Sequence, residues 1–367
     1  MSQNPPRLTV VIPAYNAAQF IGETLDVVCS STLRDLEVIC IDDGSTDATV
    51  QVVNDRRAKD PRINLITQDH LYAGAARNAG IDAAQGTYIH FLDADDLVDP
   101  AAYEPWLAYA DEYGADVVEC LYTNIDAPSG SVVDHGSHFD RASNLGPTVL
   151  SLDKNPKALA FGNVVPWNKI YRRDFLIDNG IRFDNLICAE DRSFFFAVIH
   201  DVGAFVRVPE RWITHRVNVS TSLDGSDIRS RHFEVHFQSF ERIWQIVSDA
   251  PESVKRYALE SCIVDSLYYF KKTIGTEYEQ RASDMIYEQW AKYLPLLGDE
   301  VLDRFWYGEL FEIIVAHAPE GYRQSMRALY ARQGDDLLYR TRMQRLRNKL
   351  VNTAADATRP LRKRFKR

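Results

Sequence analysis

Three carboxylates, Asp93, Asp95 and Asp96, stand within four residues, directly after the apolar run Tyr88–Leu92. The run reads as a short buried strand, so the carboxylates fall where a strand ends. Like charges this close repel unless a cation sits among them. The nearby sequence offers only Arg77 and, if protonated, His90. Hard oxygen donors suit Mg2+ or Mn2+, which keep part of their water and bridge to diphosphate oxygens. A divalent ion shared with a phosphate-bearing substrate would neutralise the cluster. A solvated acidic turn ahead of a helix opened by Pro100 is the plainer alternative.

Two more polar clusters have the same setting. Pro13-Ala14-Tyr15-Asn16 follows the strand-like run Leu8–Ile12, which Pro13 is expected to stop. Asp42-Asp43-Gly44-Ser45-Thr46-Asp47 follows Leu36–Ile41, with Ser45 or Thr46 placed to cap the next helix. Helical stripes over 17–30, up to about Ala58, over 74–84 and over 100–113 separate these runs from strands at 63–67 and 116–122. Strands alternating with helices predict an α/β fold with a mostly parallel sheet flanked by helices. Ligands bind such sheets beyond the carboxyl ends of the strands, where all three clusters lie. Residues 124–155 read as loop, 204–215 as a pair of strands, and everything from 228 onward as helix. Phe233, Phe237, Phe240 and Trp244 recur at helical spacing as core.

Composition bounds the rest. The 367 residues are 46% apolar and 26% charged, as in ordinary globular proteins. A net charge of −10 argues against general nucleic-acid binding. That charge is uneven: residues 340–367 carry eleven Lys or Arg and one acid, Asp356, a net +10 that leaves −20 on the first 339. Five scattered cysteines fit a reducing compartment and no disulfide framework or zinc site. The polar N-terminus shows no signal peptide, and no apolar run approaches the roughly 18 residues of a membrane span. A cytoplasmic location is expected.

With these motifs in order, the chain resembles the family 2 glycosyltransferases. The likeness runs through Val11–Asn16, Asp42–Asp47, Gly74–Gly80 (with Arg77-Asn78), Phe91–Asp96, Lys169–Arg173 and Glu190-Asp191, over about residues 7–222. It implies the GT-A (Rossmann-like) fold and a nucleotide-sugar donor, expected to be a UDP-sugar. It also implies that Pro13 and Tyr15 meet the base, with Tyr15 stacking on it, and that Asp42 or Asp43 accepts a hydrogen bond from base or ribose. Arg77 would steady the acidic cluster or base pocket. Asp93 and Asp95 match the family's Asp-X-Asp motif: Asp95 as metal ligand, Asp93 at the ribose or metal, with Mn2+ or Mg2+ bridging the diphosphate. Asp191 would be the general base of one inverting displacement. Capping of the following helix is the structural alternative for Glu190-Asp191. Arg216, with His215 and Ser220-Thr221-Ser222, would close on the diphosphate.

The expected layout is a catalytic domain over 1–227, a helical region over 228–339 and a basic amphipathic tail over 340–367. The expected activity is transfer of a sugar to a hydroxyl of a glycan or lipid-linked glycan acceptor in bacterial surface polysaccharide or wall assembly. Met343, Leu346, Leu350 and Val351 give the basic tail an apolar stripe, suited to peripheral contact with an anionic membrane surface. Packing on the acidic body or on a partner subunit, as in a homo-oligomer, is the competing reading. A nucleotidyltransferase on a similar sheet and a non-enzymatic binding module are the rival functions. The first lacks its Gly-rich basic signature near the first strand; the second does not need the acids at 93, 95 and 191.

Overall fold

The computed structural model describes residues 5–134, 146–219, 232–273, 275–293 and 296. The basic tail, Ser220-Thr221-Ser222 and the expected helical region beyond residue 296 lie outside them. The order is β1 (Leu8–Ala14), α1 (Ile21–Cys29), β2 (Leu36–Asp42), α2 (Thr49–Arg57), β3 (Ile63–Thr67), α3 (Tyr72–Ala83), β4 (Tyr88–Phe91), β5 (Leu97–Val98) and α4 (Tyr103–Tyr113). Then come β6 (Val117–Asp126), β7 (Val132–Asp134), β8 (Thr148–Leu150), α5 (Pro156–Ala160), β9 (Lys169–Arg172), α6 (Arg173–Asp178), α7 (Glu190–Asp201) and β10 (Phe205–Val217). Three helices follow: α8 (Glu234–Ile246), α9 (Glu252–Thr273) and α10 (Glu279–Tyr293).

One sheet runs β3-β2-β1-β4-β9-β6-β10-β5, with β7 on β6 and β8 on β10. The first four strands are parallel, as are β6 and β10; β9 joins the two parallel groups by antiparallel pairing on both sides. Strand periodicity splits the side chains between two cores. Val10, Ile12, Val38 and Cys40 pack with α1 and α4 on one face. Val11, Ile39, Ile41 and Phe91 pack with α3, α7 and α8–α10 on the other. Phe233 and Phe240 are buried there, with Phe237 and Trp244 packed against them. Helices α8–α10 therefore share the core under the sheet.

Several sequence expectations shift. Pro13 does not stop β1; it pairs in register with Ile41, and pairing to β4 ends at Val11–Phe91. Its missing N–H faces the side where no partner strand remains. Neither Ser45 nor Thr46 caps α2: the Ser45 hydroxyl accepts the Asn16 N–H, and Asp47 accepts the Thr49 N–H. The expected strand pair at 204–215 is one strand, β10, whose register slips between Arg207 and Ile213. That irregularity accommodates Pro209 without a turn. Strand β6 continues to Asp126 and pairs with β7 inside the segment expected to be loop.

Small residues let α3 lie close on the sheet. A Cβ at Gly80 would overlap the Val11 side chain. Among the described residues no helix is long and apolar enough to cross a membrane.

Candidate active site

The ends of β1, β2 and β4 and the first turn of α7 meet at one edge of the sheet. Arg77, on α3, joins them. It is buried, and its Nη2 donates to Asp93 Oδ1 at 2.9 Å, while Nη1 donates to Glu190 Oε1 at 2.8 Å and Asp191 Oδ1 at 3.1 Å. Its guanidinium also lies over the Phe183 ring, 5.3 Å from the centroid. Burial opposes its charge, but Asp191, Asp93 and Glu190 together hold it protonated far above the ordinary arginine range.

Glu190 and Asp191 form the first turn of α7, and neither caps it through its side chain. Ala189 precedes them with φ +64°, a left-handed conformation unusual for a residue with a Cβ. The Ala189 carbonyl is held by the Ser239 hydroxyl of α8 at 3.2 Å. The helical region thus braces the turn that presents Asp191. Burial raises the Asp191 pKa, Arg77 opposes, and Glu190 and Asp93 push it up again. The side chain keeps about a quarter of its surface open, so its titration stays well above the usual carboxylate range without being locked.

At the end of β4 the three acids have separate fates. Asp93 takes Arg77. Asp96 is fully buried, 2.9 Å from His215 Nδ1, and accepts the Arg216 backbone N–H at 2.9 Å. Burial works against a charge on His215, but Asp96, Asp93 and Asp95 raise its pKa overall. Trp167 stacks on the His215 ring at 4.6 Å. The Asp95 carboxylate has no side-chain donor among the described residues, and burial, then Asp96 and Asp93, push it up to about 7. Arg216 donates to the Asp95 carbonyl at 2.7 Å and to Glu23 at 2.7 Å. Cations missing from the local sequence therefore arrive from β10. His90 is not one of them. It is fully buried between the Tyr103 hydroxyl (3.0 Å) and the Trp167 carbonyl (2.7 Å), and burial lowers it to about 4, so it is neutral.

No group of three or more His, Cys, Asp or Glu converges as a metal-binding set among the described residues. The oxygen donors present still suit a hard cation. One or two carboxylates with substrate phosphates and water suffice for Mg2+ or Mn2+, and Asp95 is the acid left without a cation of its own.

The end of β2 carries two acids in different states. The Asp43 carboxylate accepts from Gln68 Nε2 (2.6 Å), the Leu71 N–H (2.9 Å) and the Tyr72 N–H (2.8 Å), and His70 Nδ1, hydrogen-bonded to the Asp43 carbonyl at 3.1 Å, lies 2.8 Å from its Oδ2. These bonds hold Tyr72 at φ +67°. Asp42 takes the Ser45 N–H at 3.3 Å, and its buried Oδ1 has no partner among the described residues. Tyr15 is half-exposed and stacks on His70. Sequence reading passed over His70, although Gln68-Asp69-His70 also follows a strand.

Lys169, in a motif shared with the family, does not reach this edge. It is fully buried, paired with Glu119 at 3.1 Å, and Glu119 also accepts from Arg207 Nε at 2.7 Å.

The family profile described as "Glycosyl transferase family 2" matches residues 9–180. Over those residues, just under half of the chain, it is similar to glycosyl transferase family 2. Among its curated relatives is the uncharacterized glycosyltransferase EpsJ of Bacillus subtilis, 28% identical over 242 residues, 64% of this chain and 68% of EpsJ. A chondroitin synthase of Escherichia coli is 28% identical over 246 residues, 65% of this chain but 33% of that enzyme. The fold is similar to that of Staphylococcus aureus TarS 1–349, solved in complex with UDP-GlcNAc: TM-score 0.68 at 19% identity, over 89% of this chain and 92% of that one. The GT-A fold expected from the resemblance is thus the observed one, and the chain is similar to glycosyltransferases, a bacterial chondroitin synthase among them.

Proposed function

We propose that this glycosyltransferase moves a sugar from a UDP-sugar to a hydroxyl of a glycan or lipid-linked glycan, with inversion. One observation carries the reading: Arg77 ties Asp93, at the expected diphosphate end, to Asp191, at the expected acceptor end, through a single guanidinium. Asp191 removes the proton of the acceptor hydroxyl as its oxygen attacks the anomeric carbon and the bond to the diphosphate breaks. A single displacement inverts that carbon. Asp95, with Asp93, would hold Mn2+ or Mg2+, which supplies charge stabilisation to the UDP leaving group. Tyr15 and Pro13 flank the base, and Asp42 or Asp43 accepts from its edge or from the ribose. A carboxylate there favours uracil, whose ring carries an N–H, over cytosine, which lacks it at that position. Arg216 holds the Asp95 backbone in place and, released from Glu23, would clamp a phosphate.

A panel of UDP-sugars tests this, with UDP release and product anomer followed by NMR. Asp191→Asn is expected to retain UDP affinity while turnover falls by about 10²–10⁴-fold. Near-normal turnover with lowered stability would instead assign Asp191 to the helix start. EDTA is expected to abolish turnover and Mn2+ to restore it; full activity in chelator removes the metal from the proposal.

A further inference from the structure

The His70 imidazole lies on the Tyr15 ring, centroids 4.1 Å apart and planes 26° from parallel. Its Nδ1 is 2.8 Å from Asp43 Oδ2 and 3.1 Å from the Asp43 carbonyl oxygen. Facing a carboxylate and a carbonyl, that nitrogen must carry the proton. A flat nitrogen heterocycle is therefore held by an aromatic face and by one ring N–H that is hydrogen-bonded to the Asp43 carbonyl and lies against its carboxylate. Those are two of the contacts expected of the donor's base.

We infer that His70 is an intramolecular stand-in for the nucleobase, competing with it for the Tyr15 face and for Asp43 Oδ2. The inference rests on the nucleotide-sugar reading above and adds a self-blocking step to it. The local structure permits the exchange. The loop is pinned by backbone groups that do not involve the imidazole: Gln68 N–H to the Asp42 carbonyl (2.9 Å), and Leu71 and Tyr72 N–H to Asp43. The ring can therefore rotate away without unfastening the segment, and 38% of its side chain already faces solvent. Once it leaves, Asp43 Oδ2 keeps the Tyr72 N–H and regains room for one donor. Uracil N3–H replaces the imidazole N–H in kind; cytosine N3 carries a lone pair and cannot.

Such competition lowers apparent affinity by the fraction of molecules whose site is open. A contact populated about nine times in ten weakens nucleotide binding about tenfold. The test is calorimetric titration of UDP and CDP into the full chain and its His70→Ala and His70→Phe variants. The expected result is unusual in sign: His70→Ala binds UDP about tenfold more tightly than the parent. His70→Phe, which keeps the stack and loses the N–H, falls between them, and the gain for CDP is smaller. Equal or weaker UDP binding by His70→Ala overturns the inference and makes His70 a fixed part of the base platform. If neither parent nor variant binds UDP, the nucleotide-sugar reading fails and this inference falls with it. NMR of the parent gives an independent measurement. The His70 ring signals, identified by their absence in His70→Ala, are expected to move out of the Tyr15 ring current as UDP is added; signals that stay in place overturn the exchange.

Discussion

Arg77 shows how much one side chain can decide. Three carboxylates converge on it from β4 and α7, and it is buried with Glu190 while Asp93 and Asp191 are partly open. Its charge is therefore fixed, and in the proposed mechanism the proton that moves is the one Asp191 takes from the acceptor. A protonated base is inactive, so activity is expected to rise with pH through the raised Asp191 titration, with a limb well above that of an ordinary carboxylate. The pH profile of kcat/KM measures this, and a limb near pH 4 would contradict it. Glu119 behaves in the opposite way. Burial raises its pKa, but Lys169 and Arg207 lower it more, leaving it depressed overall. The folded state then resists protonation of Glu119. The stabilisation it brings is complete above the unfolded value of about 4.3 and fades as pH drops through the folded one. Glu119→Gln is expected to lose about 3–5 kcal/mol at pH 7, because it leaves buried cations uncompensated, and to lose less further stability on acidification; urea unfolding at pH 7 and pH 4 checks both. Much of the candidate site was readable residue by residue, since Asp93, Asp95 and Asp191 sit in motifs at element ends and Arg77 in a motif inside α3. The pairings were not readable: nothing local to Asp96 points to His215, and nothing local to Lys169 shows that it is buried with Glu119 rather than at a substrate.

Among the elements, α3 has the tightest fit. Gly80 allows it to approach β1 closely enough that an added methyl would overlap Val11. Gly80→Ala is expected to cost about 1–3 kcal/mol through overpacking, and Val11→Ala in the same chain to recover part of that loss; thermal unfolding of both variants and the double mutant tests the coupling. Strand and helix existence followed well from periodicity because both faces of β1 and β2 are buried and read as continuous apolar runs. Ends and partners followed less well. Pro13 looks like a terminator until its neighbour on that side is seen to have ended first. Strand β10 looks like two strands because an irregular register carries Pro209 through its middle. Antiparallel β9 could not be anticipated at all, since its place between β4 and β6 is a matter of tertiary pairing.

For the molecule as a whole, the edge that carries the candidate site depends on helices outside the segment that matches the family, residues 9–180. Helix α8 holds the Ala189 carbonyl, and α8–α10 fill the core under α7. The basic tail over 340–367 lies outside the described residues, and its role is proposed from sequence: an apolar stripe flanked by eleven Lys or Arg suits an anionic membrane that carries a lipid-linked acceptor. Co-sedimentation with anionic vesicles is expected for the full chain at low salt, weakening as salt rises, and to be lost from a chain ending at Asp336. If both partition alike, the tail serves a protein contact instead.

Synthesis order gives the β10 cations a further significance. His215 and Arg216 reach Asp96 across 119 and 120 residues of sequence. At ribosomal speeds of about 5–20 residues per second, Asp96 emerges roughly 6–24 s before the His215 ring and the Arg216 N–H that answer it. Until then the nascent sheet can form β1 to β4, but it cannot bury Asp96 without leaving a charge unanswered. The catalytic edge is thus the last part of the sheet to close, and a ribosome stalled before residue 205 would display it open.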